Sequence, residues 1–217
     1  MNAYCSSNLQ MNIGVKRSIM ERQVKSKQRV SDFGEVYTAH RQVTDMLDLI
    51  PAKISGIDTT YLEPTCGNGN FIIEILKRKF ALITAKDPWT HSILMLRCVA
   101  SVYGVDIQKD NTLETVERIV TTAEKVYEKV FHCLPDALVT DAVRKIASRN
   151  IVWGNTLTGE TGDGNPLSFH EWDIGEDGSI MSKEYALTDM IRHNGVGTQP
   201  MCRHTYRWLT SANKETA

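Results

Sequence analysis

The sequence predicts an α/β fold: a parallel sheet with flanking helices, followed by an antiparallel hairpin near the C-terminus. Three observations carry this. The strand-like segments "TTYLEP", "SVYGVDIQ" and "RNIVWGNTL" are separated by stretches of helical spacing, and strands that alternate with helices pair in parallel through crossover helices. The first strand runs into "CGNGN", two glycines flanking an asparagine at the mouth of an apolar helix. "PLSFHEWDI" and "SIMSKEYAL" flank "GEDG", whose Asp-Gly step predicts a hairpin turn.

The elements follow in order. Residues 1–30 read as an N-terminal arm with a basic cluster, Lys16, Arg17, Arg22, Lys25, Lys27 and Arg29. Such a cluster is either a solvated, partly helical face or a phosphate-contacting arm. The α/β domain is expected over 31–189. Val43, Met46, Leu47 and Ile50 share a helical face that Pro51 stops. The first strand ends at Glu63. Asn70 is placed to cap a helix through Phe71, Ile72, Ile75 and Leu76, and Thr90 to cap one through Ile93, Leu94, Arg97 and Ala100. Asn111 and Glu114 have capping-box spacing and open a long amphipathic helix through Leu113, Val116, Ile119, Val120, Ala123, Tyr127 and Val130. Asp136 starts a shorter one through Val139, Val143 and Ile146. Residues 190–217 read as a polar, turn-rich tail.

With 217 residues, 41% hydrophobic and 24% charged, the chain has the composition of a soluble globular domain. A net charge of -1 argues against nucleic-acid binding through overall basicity. No apolar run is long enough for a bilayer, so no membrane partner is expected, and "MNAYCSSNLQMNIG" lacks a secretory pattern. The scattered cysteines Cys5, Cys66, Cys98, Cys133 and Cys202 form no Cys-x-x-Cys pair and point to a reducing, cytoplasmic setting. The six histidines show no His-x-x-x-His spacing, so no metal site is predicted.

In an open parallel sheet, ligands bind beyond the carboxyl ends of the strands, where Cys66 to Asn70 are expected. Gly67 and Gly69 permit positive φ and present backbone N–H groups, and the helix start adds partial positive charge. The pattern lacks the third glycine of a dinucleotide fingerprint and the Gly-Lys-Ser/Thr of a P-loop. Glu63, just before the turn, is wrong for a phosphate and right for an ammonium. Asp106, ending the second strand, is placed to hold ribose hydroxyls. S-adenosylmethionine offers an ammonium and a ribose without a phosphate.

"EPTCGNGNF" resembles the Asp/Glu-Pro-x-Cys-Gly-x-Gly-x-Phe signature of N6-adenine DNA methyltransferases, especially modification subunits of restriction systems. "GEVYTAHRQVTDMLDLI" resembles the Gly-x-x-Tyr/Phe-Thr-Pro segment upstream of it, "VYGVDI" the ribose-binding strand, and "NIVWGNTL" the third strand; the likeness spans roughly 30–158. The resemblance implies a Rossmann-like class I methyltransferase sheet and S-adenosylmethionine as cofactor. It implies that Tyr37 and Thr38 contact its methionine end, and that Glu63, Pro64, Cys66, Gly67 and Gly69 form the floor. Asn70 and Phe71 would begin the helix beneath. Asp106 would hold the ribose, Ile107 pack on the adenine, and Asn155 lie near the adenine amino group. Ala39 stands where the family usually has Pro, and Asn155 where it has Asp; an Asn carbonyl still accepts from an amino group.

The family flips its target adenine out of the duplex and holds it with Asp/Asn-Pro-Pro-aromatic. This sequence has no such motif: in "GNPLSF", Asn165 and Pro166 are followed by Leu167, with Phe169 two residues later, after the polar run "GETGDG". The segment reads as a structural turn. DNA is therefore the expected partner, with a second polypeptide supplying target recognition or the catalytic loop; a cofactor-binding regulatory or decoy protein is the alternative. No catalytic residue is assigned. Trp153, Trp172 and Tyr103 are expected in the core, Cys66 as packing rather than nucleophile, and His170 and Glu171 on opposite faces of their strand.

Overall fold

The computed structural model describes residues 23–51, 56–193 and 197–206. The predicted first strand is β1, Tyr61–Glu63. It follows α1, Lys27–Phe33, and α2, His40–Leu47. Val43 and Leu47 are buried as the spacing predicts, but Met46 is exposed; α2 stops at Leu47 with Asp48 as its cap, short of Pro51. Next come α3, Asn70–Phe80, α4, Pro88–Ala100, and β2, Val102–Asp106. Then follow α5, Lys109–Phe131, α6, Ala137–Asn150, and β3, Ile151–Asn155.

Three helix starts differ from expectation. Gly69, not Asn70, is the N-cap of α3, because its left-handed φ turns the chain into the helix. Asp87, not Thr90, caps α4: its carboxylate accepts from the Thr90 N–H at 2.8 Å, with Pro88 in the first turn, where its missing N–H costs nothing. Asn111 lies inside α5 and is fully buried. Asp136 caps α6 as predicted, accepting from the Leu138 N–H.

β1, β2 and β3 are adjacent and parallel, with Glu63 opposite Gly104 and Asp106 opposite Trp153. A two-residue strand, β4, Glu160–Thr161, runs antiparallel on β3. The hairpin forms over the predicted segments as β5, Ser168–Ile174, and β6, Ile180–Ala186. After α7, Leu187–Arg192, the polar segment carries a strand the pattern does not show: β7, Cys202–Tyr206, antiparallel on β6. Its residues are mostly exposed, so no apolar alternation marks it. The fold is thus mixed α/β, a mostly parallel four-stranded sheet and an antiparallel three-stranded one.

Alternate strand residues go to two cores. Val102 and Ile151 pack with α3, α4, α5 and α6 in the larger cluster. Tyr103, Val105 and Val152 face Leu167, Phe169 and Leu187 in the smaller. Trp172 packs against the larger core and donates its indole N–H to Asn150 at 2.8 Å. Trp153 is only half buried; Lys109 Nζ stands 4.7 Å from its ring centroid. Among the described residues no helix is long and apolar enough to cross a membrane.

Lys16, Arg17 and Arg22 lie outside the described residues. Of the remaining basic cluster, Lys25 binds Asp110 (3.0 Å) and Glu114 (2.8 Å), and Arg29 binds Asp110 (2.7 Å) and Glu35. Lys25 and Arg29 thus pin α1 to the start of α5 rather than facing outward for phosphate, while Lys27 is exposed.

Candidate functional site

Because β1, β2 and β3 are parallel, Glu63, Asp106 and Asn155 all end at one edge of the sheet. The β1–α3 loop closes over that edge. Cys66 N–H donates to the Val105 carbonyl (2.8 Å) and Gly67 N–H to Asp106 Oδ2 (2.8 Å). Gly67 and Gly69 adopt φ of +53° and +89°, the left-handed region that glycine enters without penalty. At both, space is short as well: a Cβ on Gly67 would meet the Tyr37 ring at 3.2 Å, and one on Gly69 would meet Thr115 at 2.7 Å.

Asp106 buckles two loops together. Oδ2 holds Gly67 of the first; Oδ1 accepts from Gln108 N–H (2.8 Å) and Asn111 Nδ2 (3.1 Å) at the start of α5. Asn111 Oδ1 in turn accepts from the Tyr37 hydroxyl (2.9 Å) and from Lys25 (2.8 Å). Burial, with the Glu35 carboxylate nearby, pushes the Tyr37 phenol well above its ordinary range, so it stays protonated and donates. Hydrogen bonding from Arg29, joined by Lys25, holds the Asp110 carboxyl down at about 2.

The upstream segment meets the glycine loop directly. Asn70 Nδ2 donates to the Thr38 carbonyl at 2.9 Å, and Arg118 donates to Asn70 Oδ1 (3.0 Å) and to the Asn68 carbonyl (2.5 Å). A cavity of about 200 Å³ lies there, lined by Tyr37, Thr38, Asn68, Asn70 and Arg118. Asn68 Oδ1 is buried and has no hydrogen-bond partner among the described residues. The cavity falls below the roughly 300 Å³ at which small-molecule pockets begin, so alone it does not enclose a nucleoside.

The other predicted residues sit around this centre. Glu63 is half buried, and its Oε1 accepts from the N–H and hydroxyl of Thr65, each at 3.3 Å. The Pro64 carbonyl accepts from Thr156 (2.8 Å), which ties the ends of β1 and β3. Cys66 is buried against Gly104 and Ile151, and burial, with the Asp106 and Glu63 charges, pushes its thiol far up. Its side chain packs between the strands. Phe71 packs against the main core. Ile107 is half exposed at the edge, its carbonyl taken by Trp153 Nε1. Asn155 Oδ1 accepts from the Leu157 N–H at 2.9 Å, an Asx turn that uses its side chain locally.

The structure therefore brings Tyr37, Thr38, Gly67, Gly69, Asn70 and Asp106 into one bonded group, with Glu63, Ile107 and Asn155 along the edge beside it. Asn68, Asn111, Thr115 and Arg118 belong to the same group and escape sequence reasoning. Asn68 stands between the two glycines, where its position alone could have marked it; the other three come from α5, and only the fold delivers them. "GNPLSF" is a structural turn: the Thr161 N–H donates to the Asn165 carbonyl (2.7 Å), and Leu167 and Phe169 are buried in the smaller core. Comparison of the chain with protein-family models, with curated proteins and with solved structures gives no match.

Proposed function

We propose that the carboxyl edge of this sheet binds S-adenosylmethionine, and that the chain is an S-adenosylmethionine-dependent protein resembling DNA adenine-N6 modification subunits. One observation carries the reading. The two segments with the most specific likeness, around Tyr37–Thr38 and Glu63–Phe71, are joined by the Asn70–Thr38 hydrogen bond and by the Tyr37 ring against Gly67, while Tyr37 also donates to Asn111, whose amide donates to Asp106. The strand order β1-β2-β3 also matches one half of a doubly wound, Rossmann-like sheet.

The residues fit the group in stated ways. Glu63 supplies a carboxylate for an ammonium. The Gly67 N–H is taken by Asp106 and the Gly69 N–H by the Cys66 carbonyl, with Tyr37 and Thr115 packed against the two glycines, so the loop contributes its shape rather than free N–H donors. Asn68 Oδ1 is a buried acceptor wanting a donor. Asp106 already holds Gly67, Gln108 and Asn111, so it positions the loop as much as it serves a ribose. When bound, the cofactor would supply an electrophilic sulfonium methyl, and Glu63 and the glycine loop would hold and orient it, the dominant contribution to an in-line transfer.

A second reading has its own support. The chain has no Asp/Asn-Pro-Pro-aromatic motif, and in "GNPLSF" Leu167 and Phe169 are buried in the smaller core. That favours a cofactor-binding subunit without chemistry of its own, or one whose catalytic loop and DNA contacts come from a second polypeptide. Titration calorimetry of the full chain with S-adenosylmethionine tests the common part. Saturable binding is expected, weakened at least about tenfold, roughly 1.4 kcal/mol, in Glu63→Ala. No heat at millimolar cofactor, or equal affinity in the variant, overturns the proposal. Methyl transfer to mixed-sequence DNA, run in parallel, separates the readings: binding without transfer selects the second.

A further inference from the structure

Outside the edge just described, the antiparallel sheet carries a group of donors that no local spacing announces. His170 on β5, Glu184 on β6 and His204 on β7 each offer a ligand atom, and these atoms lie within 4.8 Å of one another. Register explains the convergence. His170 pairs directly with Glu184, and His204 pairs with Ser182, two residues along β6. Cross-strand partners and their i±2 neighbours project to one face, so all three side chains share it.

Each member is held. Ser182 is buried, and its hydroxyl lies 3.0 Å from His170 Nδ1. When that nitrogen donates to the hydroxyl, Nε2 carries the free lone pair a metal needs. The Trp172 ring stacks on His170 with centroids 5.3 Å apart, fixing its plane. The Ser168 hydroxyl donates to Glu184 Oε1, while Oε2 stands 3.6 Å from His204 Nε2. The two imidazole centroids are 5.4 Å apart. Zinc–nitrogen bonds of about 2.1 Å place tetrahedral ligand atoms roughly 3.4 Å apart; the Glu184–His204 pair already stands near that spacing. A simple ion pair would need only Glu184 and His204. It gives no reason for a third donor, His170, buried beside them with its own hydroxyl support.

We propose that His170, Glu184 and His204 form a site for one divalent transition-metal ion of the zinc class, with Ser182 and Ser168 orienting the ligands. Two imidazoles and one carboxylate suit zinc, cobalt or nickel over magnesium or calcium, which take all-oxygen sets. The set has three protein ligands, and water fills the remaining coordination. The site is separate from the cofactor edge and does not depend on that reading.

The test uses the full chain, stripped with a chelator and titrated with Co2+ followed by visible absorption, then with Zn2+ by calorimetry. Expected are one equivalent of bound Co2+, displacement of its colour by Zn2+, and a raised melting temperature with either ion. Affinity should fall by at least about a hundredfold in His204→Gln and in Glu184→Gln, and by about tenfold in Ser182→Ala. Both His204 and Glu184 are partly exposed on the sheet, so these variants carry the test even where His170→Asn fails to fold. Cys202→Ser should bind as the parent does. Absence of stoichiometric uptake, uptake unchanged in His204→Gln and Glu184→Gln, or loss of the cobalt spectrum in Cys202→Ser would each overturn the proposal.

Discussion

At Gly69 the backbone stands at φ +89°, and a Cβ there would lie 2.7 Å from Thr115 Cγ2 and 2.8 Å from its Oγ1. Gly69→Ala therefore meets two penalties, conformational and steric, and should cost about 2–3 kcal/mol in urea denaturation. Adding Thr115→Ala removes the two nearest atoms and not the φ, so it should recover part of that loss; full recovery would show that the left-handed conformation carries no cost. Asp106 is a second residue whose weight comes from its partners. It holds the partly buried Gly67 and Gln108 N–H groups and the buried Asn111 amide, and Asp106→Ala leaves all three without that acceptor. A loss of about 3 kcal/mol is expected; a change under 0.5 kcal/mol would mean that the buckle is incidental. The carboxylate was legible in the sequence as a strand-end acid. Its structural partner Asn111 was not, because Asn-x-x-Glu spacing describes a helix cap equally well and only the neighbouring strand decides between them.

Elements are tied at few points, and Asn150 is one. It ends α6 fully buried, and its Nδ2 lies within 3.1–3.3 Å of the Val99, Ala100 and Val102 carbonyls, while its Oδ1 accepts from Trp172. One side chain thus joins the end of α4, the start of β2 and the hairpin strand β5. Asn150→Leu keeps the branched shape, with bulkier methyl groups, and removes every one of these bonds. It should destabilise by about 3 kcal/mol and loosen β5, seen as faster amide exchange there than in α5; uniform exchange across both would refute a local tie. Lys79 does similar service for α3. Its Nζ lies within hydrogen-bond distance of the carbonyls of Gly56 (3.2 Å), Ile57 (2.7 Å) and Thr59 (2.6 Å) and of the Ser101 hydroxyl (2.7 Å), four acceptors for three N–H protons. Helical spacing marked the apolar faces of both helices well, since burial repeats every three to four residues. It is silent on buried polar ties, which follow no period.

Over the whole molecule, the buried thiols and phenols set a response to alkali. Burial pushes Cys98 up to about 12, and Cys66, Tyr37 and Tyr103 above their ordinary ranges. Groups raised in the fold contribute stability that is whole below the unfolded values, about 8.5 for Cys and 10 for Tyr, and lost as pH climbs toward the folded ones. Lys79, lowered by burial to about 8, works the other way between about 8 and 10.4, one group against two cysteines and then two tyrosines. The urea midpoint should therefore fall from pH 8 to pH 10.5, with a limiting slope of about 1.4 kcal/mol per pH unit for each net proton. Cys98→Ala should flatten the fall. A midpoint that rises with pH would contradict the burial of these groups.

Hydrophobic periodicity and turn chemistry determined, from the sequence alone, the order of β1, β2 and β3, the helices between them, the positive-φ glycine loop and the β5–β6 hairpin, because each is written in residues a few positions apart. The tertiary structure decided what no local pattern encodes. It placed Tyr37 on Gly67, set Asn111 beneath Asp106, and added the polar strand β7. It buried Leu167 and Phe169 in the smaller core, and it gathered His170, Glu184 and His204 from three strands. The reason is physical: periodicity reports which face of an element is buried, whereas strand pairing and helix packing alone determine which distant side chains meet on that face.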